Sequence, residues 1–119
     1  MKAIFIDAVN RKVEKIDFNY NGDISMIQEK IGCSCFTAVG LETGQDAVYV
    51  DDEGAINGTN DYFFIKGHHQ PYAGNGLILG CDNEGYSTDA ECFDSFDPDT
   101  VKFMDRDELA LMVLAFQIM

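Results

Sequence analysis

Basic residues are nearly absent from the middle of this 119-residue chain, where Lys66 is the only Lys or Arg between positions 31 and 101. The acids in the same window are Glu42, Asp46, Asp51, Asp52, Glu53, Asp61, Asp82, Glu84, Asp89, Glu91, Asp94, Asp97 and Asp99. One base against these thirteen acids supplies −12 of the formal net charge of −13. Nucleic acids and anionic membranes are disfavoured as ligands because they are negative too, whereas a basic protein, a cation or solvent alone suits the charge.

Long hydrophobic runs are also missing. No stretch approaches the roughly 18 apolar residues that cross a bilayer, so we expect no membrane segment. The apolar opening of the chain is short and is broken by Asp7, which does not fit a signal peptide. We therefore expect a cytoplasmic protein whose Cys33, Cys35, Cys81 and Cys92 remain thiols.

The chain does contain the material for a core. Apolar residues make up 46% and aromatic residues 12% of the sequence, which is too much for a disordered acidic tail. The length fits a single domain, so we predict one acidic domain over residues 1–119. The charge is then expected on the surface of a folded body.

Apolar periodicity predicts an α+β fold. Segments of strand character are 2–8, 12–18, 36–41, 47–50, 62–66, 76–80 and 101–104. Asp23 and Gly32 are typical of the start and stop of a helix over 23–31, and Asp105 with Glu108 has capping-box spacing before an apolar helix over 105–117. We expect a bent antiparallel sheet of five to seven strands with both helices packed on it.

Two segments repeat the order strand, then Asp, Asx, Glu and Gly: Asp51-Asp52-Glu53-Gly54 and Asp82-Asn83-Glu84-Gly85. Short polar side chains that bond their own backbone, followed by a glycine, are typical of hairpin turns. The acidic stretch 82–99 is expected to form a long exposed loop.

The sequence gives only weak support for a metal-binding site. Cys33 and Cys35 are spaced too closely for an ordinary zinc pair, so we interpret them as small buried residues on a strand, with a cysteine-based metal module as the weakest alternative. The 82–91 segment fails the EF-hand calcium template, because its glycine falls at position 4. We predict no metal and no cofactor.

No nucleophile elbow, phosphate loop or His-Glu-x-x-His motif is present, so we do not expect an enzyme. The loop 66–76 is the one place in the acidic window that gathers donors, namely Lys66, His68, His69, Tyr72 and Asn75. A loop between strands is a common binding position, which gives an alternative function: binding a small polar ligand or a signalling nucleotide. This alternative includes a homodimer through the 105–117 helix.

The order of the motifs resembles that of a known family. The relevant pieces are the opening Met1–Asp7, the helix end Ile31-Gly32-Cys33, the segment Tyr49–Gly54, the segment Ala73–Gly76 and the segment Leu77–Gly85. Over residues 1–85 the chain resembles small uncharacterised proteins of a domain of unknown function that are encoded by phages, plasmids and conjugative elements. The resemblance implies no catalytic residues and implies an accessory protein of a mobile element.

The leading hypothesis is therefore a non-enzymatic inhibitor that binds a basic, nucleic-acid-binding surface of a host defence complex such as CRISPR or restriction machinery. Carboxylates on rigid turns could imitate the phosphates of DNA, so DNA mimicry belongs to the hypothesis. No direct nucleic-acid binding is expected. The candidate partner-binding residues are Asp51, Asp52, Glu53, Asp82, Glu84, Asp89, Glu91, Asp94, Asp97 and Asp99.

Overall fold

The computed structural model describes residues 1–41, 44–53, 59–68 and 70–118, with side chains described as far as Met112. The elements in these residues are β1 (Lys2–Asp7), β2 (Lys12–Asp17), α1 (Ile24–Ile31), β3 (Phe36–Gly40), β4 (Ala47–Asp51), β5 (Asp61–Ile65), β6 (Tyr72–Ala73), β7 (Gly76–Cys81), β8 (Ser87–Thr88), β9 (Val101–Asp105) and α2 (Arg106–Ile118). A short 3₁₀ turn at Pro98–Thr100 precedes β9.

The larger sheet has six antiparallel strands in the order β2-β1-β7-β4-β3, and β8 pairs with the far end of β7. β7 therefore lies in the centre and joins two hairpins, β1–β2 and β3–β4. It has no charged residue, and its first five residues are buried, as expected of a strand covered on both faces.

Alternate residues of the larger sheet face two different cores, because side chains along a strand point to opposite faces. Ile4, Val48 and Ile78 pack against the smaller sheet, which has the order β6-β5-β9 and contributes Phe63. On the opposite face, residues such as Leu77 pack against α1. The layers are thus helix, large sheet and small sheet, and α2 lies against β9 and β5.

Local capping chemistry defines both helices. The Asp23 side chain accepts the Ser25 N–H at 3.0 Å before α1, and Gly32 ends that helix with a left-handed φ of 77°. Asp105 Oδ1 accepts the Glu108 N–H at 2.8 Å, and Glu108 Oε1 accepts the Asp105 N–H at 3.3 Å, so the predicted capping box is confirmed. Neither of these helices is long and apolar enough to cross a membrane.

The predicted α+β class is confirmed, as are the seven predicted strands to within a residue or two. Two features differ. The strands divide between two sheets, because β5 and β9 pair with each other rather than with the larger sheet. The hairpin predicted at 51–54 is wrong, since β4 and β5 on either side of it lie in different sheets.

Candidate functional site

The turn after β7 is a hairpin turn built around Asp82. Its Oδ1 accepts the backbone N–H groups of Glu84 and Tyr86, both at 2.9 Å, and Gly85 takes a left-handed φ of 89°. The prediction of a hairpin turn is confirmed here. The carboxylate of Asp82 is therefore fixed by its own backbone while it remains exposed.

Asp46 anchors the acidic segment that follows. Its side chain is only 2% exposed, and its Oδ1 and Oδ2 accept the backbone N–H groups of Glu91 and Cys92 at 2.8 and 2.9 Å. The preceding residues are tied to the first strand, because Ala90 N donates to Lys2 O at 2.9 Å. Residues 89–92 are consequently held against the sheet, and the prediction of a long exposed loop over 82–99 is wrong.

The acids around this anchor gather at one end of the larger sheet. We call the exposed carboxylates Asp82, Glu84, Asp89 and Glu91 the Asp82 end. Asp89 Oδ1 accepts the Lys2 N–H at 2.8 Å, at the start of β1. β1 runs antiparallel to β7, so its start and the end of β7 meet at the same edge. A hydrogen bond of 2.8 Å between Gln45 and Asn83 joins the turn before β4 to the Asp82 turn.

Asp51, Asp52 and Glu53, here called the Asp51 end, lie at the opposite end of the sheet. β4 and β7 are antiparallel neighbours, with Ala47 opposite Leu79 and Val50 opposite Gly76. Asp51 is the last residue of β4, whereas Asp82 follows the last residue of β7. In this register Asp51 lies opposite residue 75, so seven residues separate it from Asp82 along the sheet, roughly 24 Å at about 3.4 Å per residue.

The remaining predicted acids lie between Cys92 and β9. Asp97 Oδ1 accepts the Asp99 N–H at 2.9 Å and caps the 3₁₀ turn. Asp94 is adjacent to Lys15, whose Nζ reaches the Asp94 carbonyl oxygen at 3.4 Å. All three aspartates are exposed.

Six cationic groups of the described residues have contacts outside the two acidic ends. Salt bridges join the Met1 amino group to Asp17, Arg11 to Glu108 and Lys12 to Glu14. The ammonium groups of Lys2 and Lys15 both lie 5.6 Å from the centroid of the Phe93 ring, and that of Lys30 lies 4.3 Å from the Phe5 ring. Asp52, Glu53 and the carboxylates of the Asp82 end form no salt bridge with a described residue, so their charge is uncompensated.

A small cleft lies beside the predicted ligand loop. Its volume is about 260 Å³, and its lining residues are Leu41, Ile65, Lys66, His68, Cys92, Ser95, Phe96, Asp97 and Thr100. The lining is mainly apolar, and its polar residues are Lys66, His68, Ser95, Asp97 and Thr100. Residue 41 and residues 92–100 are far apart in sequence, and no local pattern indicates that they meet.

The other predicted ligand residues have different positions. Tyr72 is buried, and its hydroxyl lies 2.6 Å from His68 Nδ1. Asn75 Oδ1 accepts the Ala8 N–H at 2.8 Å, which ties the start of β7 to the end of β1. His69 lies outside the described residues. Two of the five predicted residues, Lys66 and His68, therefore line the cleft.

The cysteines do not form a cluster suited to a metal. Cys33 and Cys35 precede β3, and the prediction that both are buried strand residues is wrong, because Cys35 is exposed. Burial raises the pKa of Cys33 to about 11 and that of Cys92 to about 12, and a hydrogen bond to Glu53 raises the pKa of Cys35. Each shift opposes the thiolate that binds metals or attacks substrates. Within the described ranges, no three His, Cys, Asp or Glu side chains are placed to hold a metal ion.

Comparison with known proteins gives a family and no function. No curated protein and no solved structure matches the chain. The family described as Domain of unknown function (DUF3846) matches residues 1–97, which include every strand of the larger sheet and both acidic ends. The chain belongs to this family.

Proposed function

From this membership in a family without an assigned function, we propose that the protein is a non-enzymatic interaction protein that binds a basic, nucleic-acid-binding surface of another protein. One observation carries the proposal: Asp52, Glu53 and the carboxylates of the Asp82 end form no salt bridge with a described residue, while five cationic groups of the described residues contact other groups. Uncompensated charge on a folded surface accelerates association with an oppositely charged partner.

The backbone around the Asp82 end is already ordered, which favours binding. Asp82 is held by two N–H groups of its own turn, and the Glu91 N–H is held by buried Asp46. A partner would therefore not have to order this part of the chain when it binds, and the entropic cost of association is lower for a preorganised surface.

The separation of the two ends shapes the proposal further. A duplex carries one charge per ~1.7 Å of its axis, so a mimic needs a dense row of acids. The Asp82 end and the Asp51 end are instead a strand length apart. This arrangement supports two localised contacts with a basic protein better than a continuous imitation of DNA.

The narrower proposal is that the protein comes from a phage, plasmid or conjugative element and inhibits a host defence complex. Its support is the resemblance of residues 1–85 together with the acidity of the chain. A defence complex that binds DNA or RNA presents Lys- and Arg-rich surfaces, and these surfaces are opposite in charge to the carboxylates of this protein.

A capture experiment tests the basic-partner proposal. Immobilised protein is incubated with the heparin-binding fraction of a bacterial extract at low and high salt, with and without competing duplex DNA. We expect capture at low salt that is lost at high salt and is displaced by DNA. Capture of no protein at either salt would refute the proposal.

Two double variants of equal net charge make the test specific. Glu84→Gln with Glu91→Gln removes two of the four carboxylates of the Asp82 end, while Glu29→Gln with Asp107→Asn removes two exposed acids elsewhere. The first pair should weaken capture, and the second should not. Equal effects of the two pairs would show that only net charge matters, which contradicts a localised contact.

The cleft beside Lys66 and His68 favours a second candidate function, the binding of a small anionic or polar ligand. Its volume of about 260 Å³ is near the lower limit of ligand pockets. Native mass spectrometry and thermal shift with signalling nucleotides test it, and a Lys66→Gln variant should lose any shift. Absence of both a bound metabolite and a shift would exclude this candidate. The associated homodimer through the 105–117 helix remains a prediction. Leu111, an apolar residue of this helix that is 68% exposed, would be available for such a contact.

A further inference from the structure

The two edges of the larger sheet differ sharply in charge. β2, on one edge, carries Lys12, Glu14, Lys15 and Asp17, and such charges are a common protection against unwanted strand pairing. β3, on the other edge, has the sequence Phe-Thr-Ala-Val-Gly, with neither a charge nor a proline, and three of its five residues are exposed. The protection present on one edge is missing on the other.

The hydrogen-bond register shows which backbone groups of β3 face outward. Leu41 N donates to Asp46 O at 2.9 Å, and Asp52 N donates to Cys35 O at 3.0 Å. Odd-numbered residues of this strand are thus bonded to β4, and antiparallel alternation turns the N–H and C=O groups of Phe36, Ala38 and Gly40 away from the sheet. No residue in the described ranges occupies these six groups.

A second cleft lies directly beside this edge, on the face toward the smaller sheet. It has a volume of about 420 Å³, and its lining residues are Thr37, Val39, Val50, Asp51, Asp52, Tyr62, Gln70, Pro71, Tyr72, Ala73 and Leu109. Apolar walls next to carboxylates suit a Lys or Arg side chain, whose aliphatic stem packs on apolar surface while its charged head meets an acid.

We propose that β3 is the docking edge for an extended basic segment of the partner, which adds to the larger sheet as a further strand. Its backbone pairs with Phe36, Ala38 and Gly40, and its alternate side chains enter the cleft, where a Lys or Arg head reaches Asp52. The inference rests on the proposed function and names how the basic partner is held. Strand addition takes affinity from backbone bonds and specificity from alternate side-chain pockets.

Charge identifies the occupant as a basic segment rather than a second copy of this chain. Pairing β3 with its own copy would bring together two molecules of net charge −13, with the Asp51 end of each close to the shared edge. A segment rich in Lys and Arg gains from the same carboxylates that would oppose self-association.

Amide hydrogen exchange measured by NMR tests the pairing directly. The probe is an eight-residue peptide in which Lys or Arg alternates with Val. At saturation, we expect exchange at Phe36, Ala38 and Gly40 to slow at least tenfold, while the amides of Thr37 and Val39, already bonded to β4, change little. A control peptide of the same charge, N-methylated at three consecutive central residues, should bind at least tenfold more weakly because its donors are lost.

Two variants separate backbone pairing from charge. Ala38→Pro removes an outward N–H, and a proline is tolerated on an edge strand where that group faces solvent, so the sheet should persist while affinity falls at least tenfold. Asp52→Asn should weaken binding and its salt dependence while leaving the pattern of amide protection intact. Circular dichroism checks that both variants fold. If Ala38→Pro does not fold, the amide-exchange and N-methyl peptide measurements on the parent protein still test strand addition.

The outcomes distinguish this inference from the proposed function. Peptide binding that leaves the three outward amides unprotected, or that N-methylation does not weaken, overturns strand addition and leaves the basic-partner proposal in place. Failure of the peptide to bind also overturns strand addition. Failure of the capture experiment with the heparin-binding fraction overturns the proposed function itself, because that experiment detects a basic partner whichever part of the surface holds it.

Discussion

Asp46 offers the sharpest test of how the acidic segment is held. Among the described acids of the 31–101 window it is the buried one, and it accepts two backbone N–H groups from residues 45 and 46 positions later in the chain. Asp46→Asn keeps one oxygen acceptor but places an NH₂ group against the second N–H. Asp46→Ala removes both acceptors and leaves the Glu91 and Cys92 amides without them.

The expected magnitudes follow from these two bonds. A hydrogen bond to a charged acceptor contributes about 1.5–3 kcal/mol, and a buried donor left unpaired costs about 1–3 kcal/mol. We therefore expect Asp46→Asn to lower the free energy of unfolding by about 2 kcal/mol. Asp46→Ala should lower it by about 4 kcal/mol, since both amides lose their acceptor and the Cys92 amide is the more deeply buried.

Urea unfolding followed by far-ultraviolet circular dichroism measures both changes. With a slope of about 1–3 kcal/mol per molar urea, Asp46→Asn should lower the midpoint by roughly 0.7–2 M. Glu84→Gln, an exposed change on the neighbouring turn, serves as the control and should stay within about 0.5 kcal/mol of the parent. Equal stability of Asp46→Asn and the control would refute the reasoning, because it would mean that the acidic segment is not anchored through this carboxylate.

Three further predictions concern packing and thiols. Gly76→Ala should lower the free energy of unfolding in urea by about 1–3 kcal/mol, because an added Cβ would lie 2.6 Å from Phe63 Cζ. An unchanged midpoint would show that the two sheets can move apart freely. Burial and Asp46 raise the pKa of Cys92 from 9.0 to about 12, so the thiol of the unfolded chain ionises first as pH rises. The free energy of unfolding of the parent, relative to that of Cys92→Ala, should therefore fall by about 1 kcal/mol between pH 8 and 10. A difference that does not change with pH would contradict this prediction. In native protein at pH 8, iodoacetamide should modify exposed Cys35 well before buried Cys92. Peptide mass spectrometry measures both rates, and equal rates would contradict the burial of Cys92.

Features with local causes could be predicted from the sequence. The caps at Asp23 and Gly32, the capping box at Asp105 and the turn at Asp82 each depend on residues within four positions of one another. Their chemistry is complete in a short segment, so a short segment is enough to identify them.

The features that could not be predicted depend on distant pairing. β6 and β8 have two residues each, too few for a periodic pattern, and exist because β5 and β7 pair with them. Asp46 looks like the other acids of its window, and its burial depends on a segment that returns to it much later in the chain. The opposite placement of the two Asp-Asx-Glu-Gly turns follows from the antiparallel register of β4 and β7, to which the turn sequences themselves contribute nothing.

The central position of β7 has a consequence for how the protein folds. The hairpins β1–β2 and β3–β4 each join strands that are close in sequence, so each can form early by local contacts. The two hairpins share no strand pairing until residues 76–81 insert between them. This step closes a loop of more than sixty residues between β1 and β7 and a loop of about thirty residues between β4 and β7. A topology of this kind is expected to fold slowly for its size, with β7 insertion as the step that makes two independent hairpins into one cooperative unit. A chain truncated before residue 76 should therefore retain, at most, hairpins that melt separately.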